Sequence, residues 1–410
     1  MSADADQLNF DVVIVGGGLV GASVALGLAG SKLSVALIES ASPPGGDASW
    51  DERCIAINLA SQRILESLGV WSSLLRAAAP ITSTHISEQR RFGVARFSAA
   101  DAKVEALGFN VPMRRLGEAL WQKLAQTRRA QIISPAKVTR VDTGADDAEI
   151  FLDDGRVLRA RLVVAADGMH SPLRVGAGID AAHRDYQQSA IVTAVRTSRT
   201  HGGCAYERFT AEGPIAVLPK PWEASENVCS LIWTIPTDQV EQRLQWSDAE
   251  FLAQAHQAFG ERLGQFTALG RRVAHPLHQV VSEQLMAPRM VFVGNAAQSL
   301  HPVAAQGFNL GLRDAATLAE VLVEADRESI DPGDDDLLLG YCKRREQDRR
   351  AVSRFTDGIV QVFSNRIPGL RGLRHLGLLA IDLAPPLREA VMWQNLGFGG
   401  QSPASARKPP

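Results

Sequence analysis

Three clusters in this 410-residue chain have residue types and spacing suited to chemistry. The first is Gly16-Gly17-Gly18-Leu19-Val20-Gly21, a turn able to hold an anionic group on backbone amides. There Gly16 permits the tight bend, Gly18 lets the backbone approach a pyrophosphate, and Gly21 lets helix and strand pack closely. Glu39, eighteen residues after Gly21, is placed to accept hydrogen bonds from ribose hydroxyls and to repel a 2′-phosphate. The turn therefore suits the adenosine of FAD or NAD rather than of NADP. Alone, the same glycines also describe an ordinary β–α turn.

The second cluster is Ala165-Ala166-Asp167-Gly168-Met169-His170-Ser171-Pro172-Leu173-Arg174, a carboxylate at the end of an apolar run. Ligands of open α/β sheets gather at that edge, although Asp-Gly by itself is commonly just a turn. The third runs from Gly294-Asn295-Ala296-Ala297-Gln298-Ser299-Leu300-His301-Pro302 through Gln306-Gly307-Phe308-Asn309. Small residues and free amides at a helix start suit an extended ligand with anionic or carbonyl oxygens. By itself this is a loop with a helix cap.

The elements that must position these clusters are legible from apolar runs. Phe10–Val15 reads as a buried strand, Ala22–Ala29 as a helix and Ser34–Glu39 as a second strand, the context the glycine turn requires. Leu162–Ala166 and Met290–Val293 are further buried strands that end at the second and third clusters, and a long helix begins near Gln306. A helix is expected over Leu59–Leu75 and another over Leu116–Gln126, with strands between His85 and Phe97 and a meander over Val138–Leu158. Between Ala177 and Leu285 the texture changes to a separate lobe on an antiparallel sheet, with strands at Ala190–Thr197 and Val228–Ile235 and a helix at Ala249–Phe259.

The expected fold is thus α/β: a discontinuous Rossmann-like dinucleotide domain (1–176 and 286–340), an inserted antiparallel-sheet substrate domain (177–285), a helical C-terminal region (341–398) and a disordered tail (399–410). With 45% hydrophobic residues the chain can bury a sizeable core, and a formal net charge of −2 offers no basic excess for nucleic acid. Four dispersed cysteines suggest neither a zinc site nor a disulfide scaffold, so no metal is expected and a reducing cytoplasm fits. The polar, acidic start lacks the pattern of a signal peptide, and no apolar run is long enough to span a bilayer.

In this order and spacing, the three clusters resemble the class A flavoprotein monooxygenases, aromatic hydroxylases related to p-hydroxybenzoate hydroxylase. Asp51-Glu52-Arg53-Cys54-Ile55-Ala56-Ile57 is similar to the D-x-R-x-I-A-L segment of the ubiquinone-pathway hydroxylases. Gly294-Asn295-Ala296-Ala297-Gln298, His301-Pro302, Glu207-Arg208-Phe209-Thr210 and Gly213-Pro214 resemble the 2-polyprenyl-6-methoxyphenol hydroxylase branch, with Ala305 where that branch usually has glycine. The resemblance implies bound FAD, with NAD(P)H as transient donor and O2 as co-substrate. It implies cofactor contacts at Gly16, Gly18, Gly21, Glu39, Arg53, Arg115, Asp167, Gly168, Asn295, Gly307, Phe308 and Asn309. It places catalysis at Pro302, Gln306 and Gly307 beside the flavin ring, with Pro302 and Gly307 acting through backbone.

The implied reaction passes through a flavin C4a-hydroperoxide that hydroxylates 2-polyprenyl-6-methoxyphenol para to its hydroxyl on the way to ubiquinone. A polyprenyl substrate implies contact with the inner membrane face and with other ubiquinone-pathway enzymes. The Leu370–Leu387 stretch is a candidate surface for that contact or a piece of packed core. Three alternatives stay open: a flavin monooxygenase of another aromatic substrate, an NAD-dependent dehydrogenase, and a non-catalytic flavoprotein subunit of a biosynthetic complex. His301 is a candidate base or a merely positional histidine, and the residues by themselves name no general base.

Overall fold

The computed structural model describes residues 8–42, 53–91, 93–127, 130–222, 225–301, 306–364 and 384–407. The chain enters through β1 (Leu8–Val15), turns into helix α1 (Leu19–Gly27) and returns as β2 (Val35–Ile38), parallel to β1 with Val12 opposite Val35. Val12, Val13, Ile14 and all of β2 are buried, as expected for a parallel sheet covered on both faces. β3 (Cys54–Asn58) feeds α2 (Leu59–Ser67), whose N-cap Asn58 accepts a hydrogen bond from the Ser61 amide. The single helix expected over Leu59–Leu75 is interrupted, because Gly69 adopts a left-handed conformation (φ +68°) that stops α2. Only a short turn, Trp71–Leu74, follows it.

β4 (Ala79–Ile81), the hairpin of β5 (Ser83–Glu88) and β6 (Val94–Ser98), and β7 (Gly108–Pro112) come next. β3, β7 and β4 form a small antiparallel sheet in that order. After α3 (Met113–Thr127), β8 (Ala130–Ile133) joins β2, and β9 (Val138–Thr143) pairs with β10 (Ala148–Leu152). β11 (Val157–Ala165) then slots in beside β1, with Val15 opposite Ala165.

The second large sheet is built from β12 (Ala181–Thr197), β13 (Cys204–Phe209), β14 (Pro214–Pro219), β15 (Val228–Pro236), β16 (Phe266–Leu269) and β17 (Val273–Ser282). Helix α4 (Asp248–Phe259) covers one face. Ser247 caps its start and Gly260, at φ +90°, ends it. Its Phe251, Ala255 and Phe259, one turn apart, pack on Ile191, Ile215, Leu231 and Trp233. β18 (Met286–Ala287) and β19 (Met290–Phe292) return to the first sheet, giving the order β18-β19-β11-β1-β2-β8. β20 (Gln298–Ser299) precedes α5 (Gln306–Glu328), α6 (Asp335–Ser364) and α7 (Pro385–Asn395).

The α/β architecture agrees with the sequence reading, with three differences. The second sheet has the order β20-β17-β12-β15-β14-β13-β5-β6, so it recruits residues 83–98 and 298–299 from outside 177–285. Its β13·β5 contact is parallel, with Glu207 opposite Ile86, because β5 reaches the edge by a long-range connection rather than a hairpin. Residues 399–407, expected as disordered tail, pack instead: Ala406 is fully buried, and the Ser405 amide and hydroxyl both donate to Glu320 of α5.

Candidate active site

The parallel strands β1, β2, β11 and β19 all deliver their C-terminal ends to one edge, where Gly16, Glu39, Asp167 and Gly294 follow. Gly16 has φ +105°, and an added Cβ would overlap the Ala166 carbonyl; one on Gly21 would overlap the Gly16 carbonyl. Gly18 differs: nothing lies within 4 Å of where its Cβ would stand. Gly16 and Gly21 are therefore required by protein packing, and Gly18 leaves a cradle open. Gly18 also caps α1 without any side-chain hydrogen bond, so the first amides of that helix face outward with the positive end of its dipole.

Glu39 sits beside this turn. Its Oε2 accepts from the Gly17 amide at 2.6 Å and its Oε1 from the Ala41 amide at 2.8 Å, which fixes the carboxylate and leaves lone pairs on both oxygens. Trp121 of α3 donates from Nε1 to the Gly17 carbonyl at 2.9 Å, a support that no local motif announced.

Asp167 accepts from the Leu173 amide on Oδ2, while its buried Oδ1 has no partner among the described residues. Burial raises its carboxyl above the ordinary range, against the hydrogen bonds from Ser171 and Leu173. Next to it, Gly168 is left-handed (φ +94°) with open space on its Cβ side. The buried Arg174 ties this segment to the third cluster by donating to the carbonyls of Ala296 and Met169.

A cavity of about 750 Å³ runs from this edge to the second sheet. At one end are Gly18, Arg53, Gly168, Asn295, Gln306, Gly307, Phe308 and Asn309. At the other, Ile81, Ile86, Phe97, Leu218, Ile232 and Met392 make an apolar wall. Buried Asn58 Nδ2 and Gln306 Oε1, both on residues lining the cavity, have no partner among the described residues. Open backbone at Gly18, Gly168 and Gly307, a free helix start and these orphaned polar atoms fit an extended dinucleotide at the polar end.

The expected site residues thus converge unevenly. Gly16, Gly21, Glu39 and Asp167 stand behind the cavity wall as its supports. Asn309 lines the cavity, yet its side chain bridges β3, donating to the Ala56 carbonyl and accepting from the Asn58 amide, both at 3.0 Å. Arg115 is not among the cavity-lining residues; it points to Glu118 on an exposed helix face. Arg114 pairs with the same carboxylate. His301 is buried with its ring edge-on to Tyr186 at 4.8 Å and does not line the cavity. Pro302, Ala305, Asp51 and Glu52 lie outside the described residues.

Sequence reasoning passed over Asn58 and Trp121, gave Arg174 no role within its cluster, and used Glu207 only as part of a family match. Glu207 lines the cavity on β13 and is pushed up to about 7 by burial. It also passed over a buried charge cluster behind the third segment. Arg345 donates to Asp314 and Asp348 at 2.7 Å each, Arg313 to Asp348 at 2.9 Å, and Gln298 Nε2 to Asp314 at 2.5 Å. Arg349 completes it by donating to Gln298 Oε1. Burial alone would raise the Asp348 carboxyl, but Arg313 and Arg345 outweigh it and hold it below the usual range.

Residues 9–356 match the family described as FAD binding domain. Ubiquinone hydroxylase UbiL of Rhodospirillum rubrum is 37% identical over 97% of this chain and 91% of its own length. The 3-demethoxyubiquinol 3-hydroxylase of Escherichia coli is 34% identical over 95% and 98%. Among solved structures, p-nitrophenol 4-monooxygenase PnpA of Pseudomonas putida superposes with a TM-score of 0.78 at 18% identity, covering 96% of this chain and all of that one; it shares the fold. Together with a polar edge and cavity that fit FAD, these matches establish that the chain belongs to the FAD-dependent class A monooxygenases of ubiquinone biosynthesis.

Proposed function

We propose that this enzyme hydroxylates the ring of 2-polyprenyl-6-methoxyphenol para to its hydroxyl, consuming O2 and NAD(P)H and releasing water. The observation that carries this reading is the two-ended cavity: backbone amides and glycines at one end, and an apolar wall of Ile81, Ile86, Phe97, Leu218, Ile232 and Met392 at the other. Such a wall suits a prenylated phenol. Bound FAD supplies the activated oxygen atom, taken from O2 with electrons from NAD(P)H.

The chain's own residues hold, orient and dry the site. In this reading the start of α1 binds the pyrophosphate, Glu39 the ribose, and Arg53, Gly168 and Asn295 the middle of the cofactor. Gln306, Gly307 and Phe308 lie beside the ring system, and Asn309 pins the start of α5 to β3, so that the amides there keep their positions. Pro302 belongs to the same loop by sequence. The apolar wall excludes water from the reacting ring.

No helix among the described residues is long and apolar enough to cross a membrane. Helix α7 turns Met392 into the cavity while Leu387 and Trp393 stay exposed, 44% and 45%. That arrangement suits peripheral contact with the cytoplasmic face of a membrane from which the substrate enters. The test is turnover of FAD-loaded enzyme with 2-polyprenyl-6-methoxyphenol under isotopically labelled O2. A product carrying one labelled oxygen in the ring is expected, and turnover of a soluble aromatic acid alone would sink the reading. The Escherichia coli relative favours a second reading, hydroxylation of 3-demethoxyubiquinol, so that quinol belongs in the same assay.

A further inference from the structure

We propose that Glu207 is a catalytic residue: its carboxylate receives the substrate's phenolic hydrogen bond and takes that proton as the ring is oxygenated. The inference rests on the prenylated-phenol reading and adds the base which that reading lacks.

The backbone places Glu207 for this. On β13, Tyr206 stacks edge-on against Phe259 and Arg208 donates to the Phe259 carbonyl, so both face α4. Side chains alternate along a strand, so Ala205 and Glu207 face the opposite way. The register partners of Glu207 are Ile86 and Ala216, and both line the cavity with it. The carboxylate thus stands in the apolar wall of the cavity that the Gln306–Asn309 segment also lines.

It also stands alone. Glu207 is the one carboxylate among the described residues that line the cavity, and its side chain has no hydrogen bond or ion pair among them. A part-buried acid without a partner is costly, and in an apolar wall it has no structural use. Two other polar residues that line the cavity are already committed. Asn110 donates to the Pro219 carbonyl and the Ser230 hydroxyl, and Cys54 accepts from Lys220 at 3.3 Å. Arg53 is cationic and carries no acceptor.

The groups that bear on its charge are few. On its own face of the sheet, β14 presents Pro214, Ala216 and Leu218, while β5 presents Thr84, Ile86 and then Glu88, one step further along. Arg53 and Cys54 also line the cavity, and Arg388 precedes Met392 by one turn of α7. His85, Arg96, Tyr206, Arg208 and Arg262 belong to the reverse face. Desolvation dominates, and it lifts the carboxyl to about 7.

A free phenol titrates near 10, so a base near 7 holds the hydroxyl by hydrogen bond in the resting complex and leaves it protonated. As the para carbon bonds to the incoming oxygen, the phenolic O–H bond breaks. Its proton moves to Glu207, and its electron pair becomes the C=O bond of a dienone. Loss of the C–H proton from the oxygenated carbon to water then restores the aromatic ring. The carbonyl oxygen recovers its proton from Glu207, which ends the cycle as it began.

The experiment uses FAD-loaded wild type, Glu207→Gln and Glu207→Asp. In wild type, product formation should rise with pH through a limb near 7, and 2-methoxyphenol should bind about 10-fold more tightly than its methyl ether, read from the flavin spectrum. Glu207→Gln should retain FAD and fold at least as stably as wild type, lose about 100-fold in product formation, lose the limb, and discriminate the two probes less than wild type does, since a neutral amide oxygen is a weaker acceptor than a carboxylate. Glu207→Asp should keep the limb with reduced rate. Wild-type turnover and an unchanged limb in Glu207→Gln, or equal binding of both probes by wild type, would overturn the proposal. Failure of wild type to hydroxylate any prenylated phenol would instead defeat the functional reading, while the probe-binding arm still judges Glu207.

Discussion

The turn at Gly16–Gly21 and the cavity wall of the second sheet meet the same demand, presenting polar groups to a ligand, by opposite means. At the turn the protein acts through backbone. Gly16 and Gly21 make the close approaches, Gly18 stays open, and α1 contributes its unpaired amides. On the wall it acts through side chains: Glu207 and a set of aliphatic residues on strands drawn from two stretches of chain. Backbone presentation tolerates almost no change in the residue that permits it. Side-chain presentation can be retuned one residue at a time.

The sharpest way to break this comparison lies in the glycines. Gly21→Ala must push a methyl group into the Gly16 carbonyl, so we expect loss of fold at or beyond the upper end of about 1–3 kcal/mol, with no bound flavin. Gly18→Ala meets no protein atom; its Tm should hold while FAD affinity falls at least about 10-fold. Flavin absorbance per chain and thermal unfolding separate the two. Equal damage from both would remove the distinction between packing and ligand glycines.

Next in size is the seam between the regions. Asp348→Ala leaves Arg313 and Arg345 buried without their shared carboxylate and should cost about 3–5 kcal/mol in denaturant unfolding. Because Asp348 is held below its usual range, its contribution is present above the unfolded carboxyl value and lost as pH falls through the folded one. The wild type should therefore weaken on the acid side more than the variant does. Asn309→Ala follows, at about 1–3 kcal/mol, since it strips partners from two backbone groups of β3. If Asn309 positions α5 for the reaction, NAD(P)H oxidised per product formed should rise in that variant.

The smallest effect sharpens the wall. Glu207 has a folded value of about 7, above its unfolded one, so its favourable contribution is full below the unfolded value and fades as pH climbs to 7. Glu207→Gln should therefore gain stability over wild type as pH rises from 5 to 8, by about 1 kcal/mol after allowance for partial exposure. A Tm difference flat with pH would show that the carboxylate is already solvated.

What the sequence reveals divides along the same line. Gly16, Gly18, Gly21 and Glu39 were readable because a βαβ turn is local, and its geometry leaves few residue choices at fixed spacing. Asp167-Gly168 and Gly294–Asn309 were readable as strand ends. Glu207 had no such signature, because its meaning comes from β13 lying beside β5, more than a hundred residues earlier. Trp121 acts on a segment far away in the chain, which no window detects, whereas Asn58 is a local cap of α2. Arg115, expected at the cofactor, and its neighbour Arg114 both turn to Glu118, the helical neighbour within a turn.

The joining of residues 83–98 to the sheet of residues 181–282 constrains how this enzyme can be rebuilt. A chimera that takes only the continuous insert from a relative would carry β13 without the β5 it evolved beside, leaving the parallel seam that borders Glu207 mismatched. Exchanging substrate preference between relatives therefore requires two gene fragments to travel together.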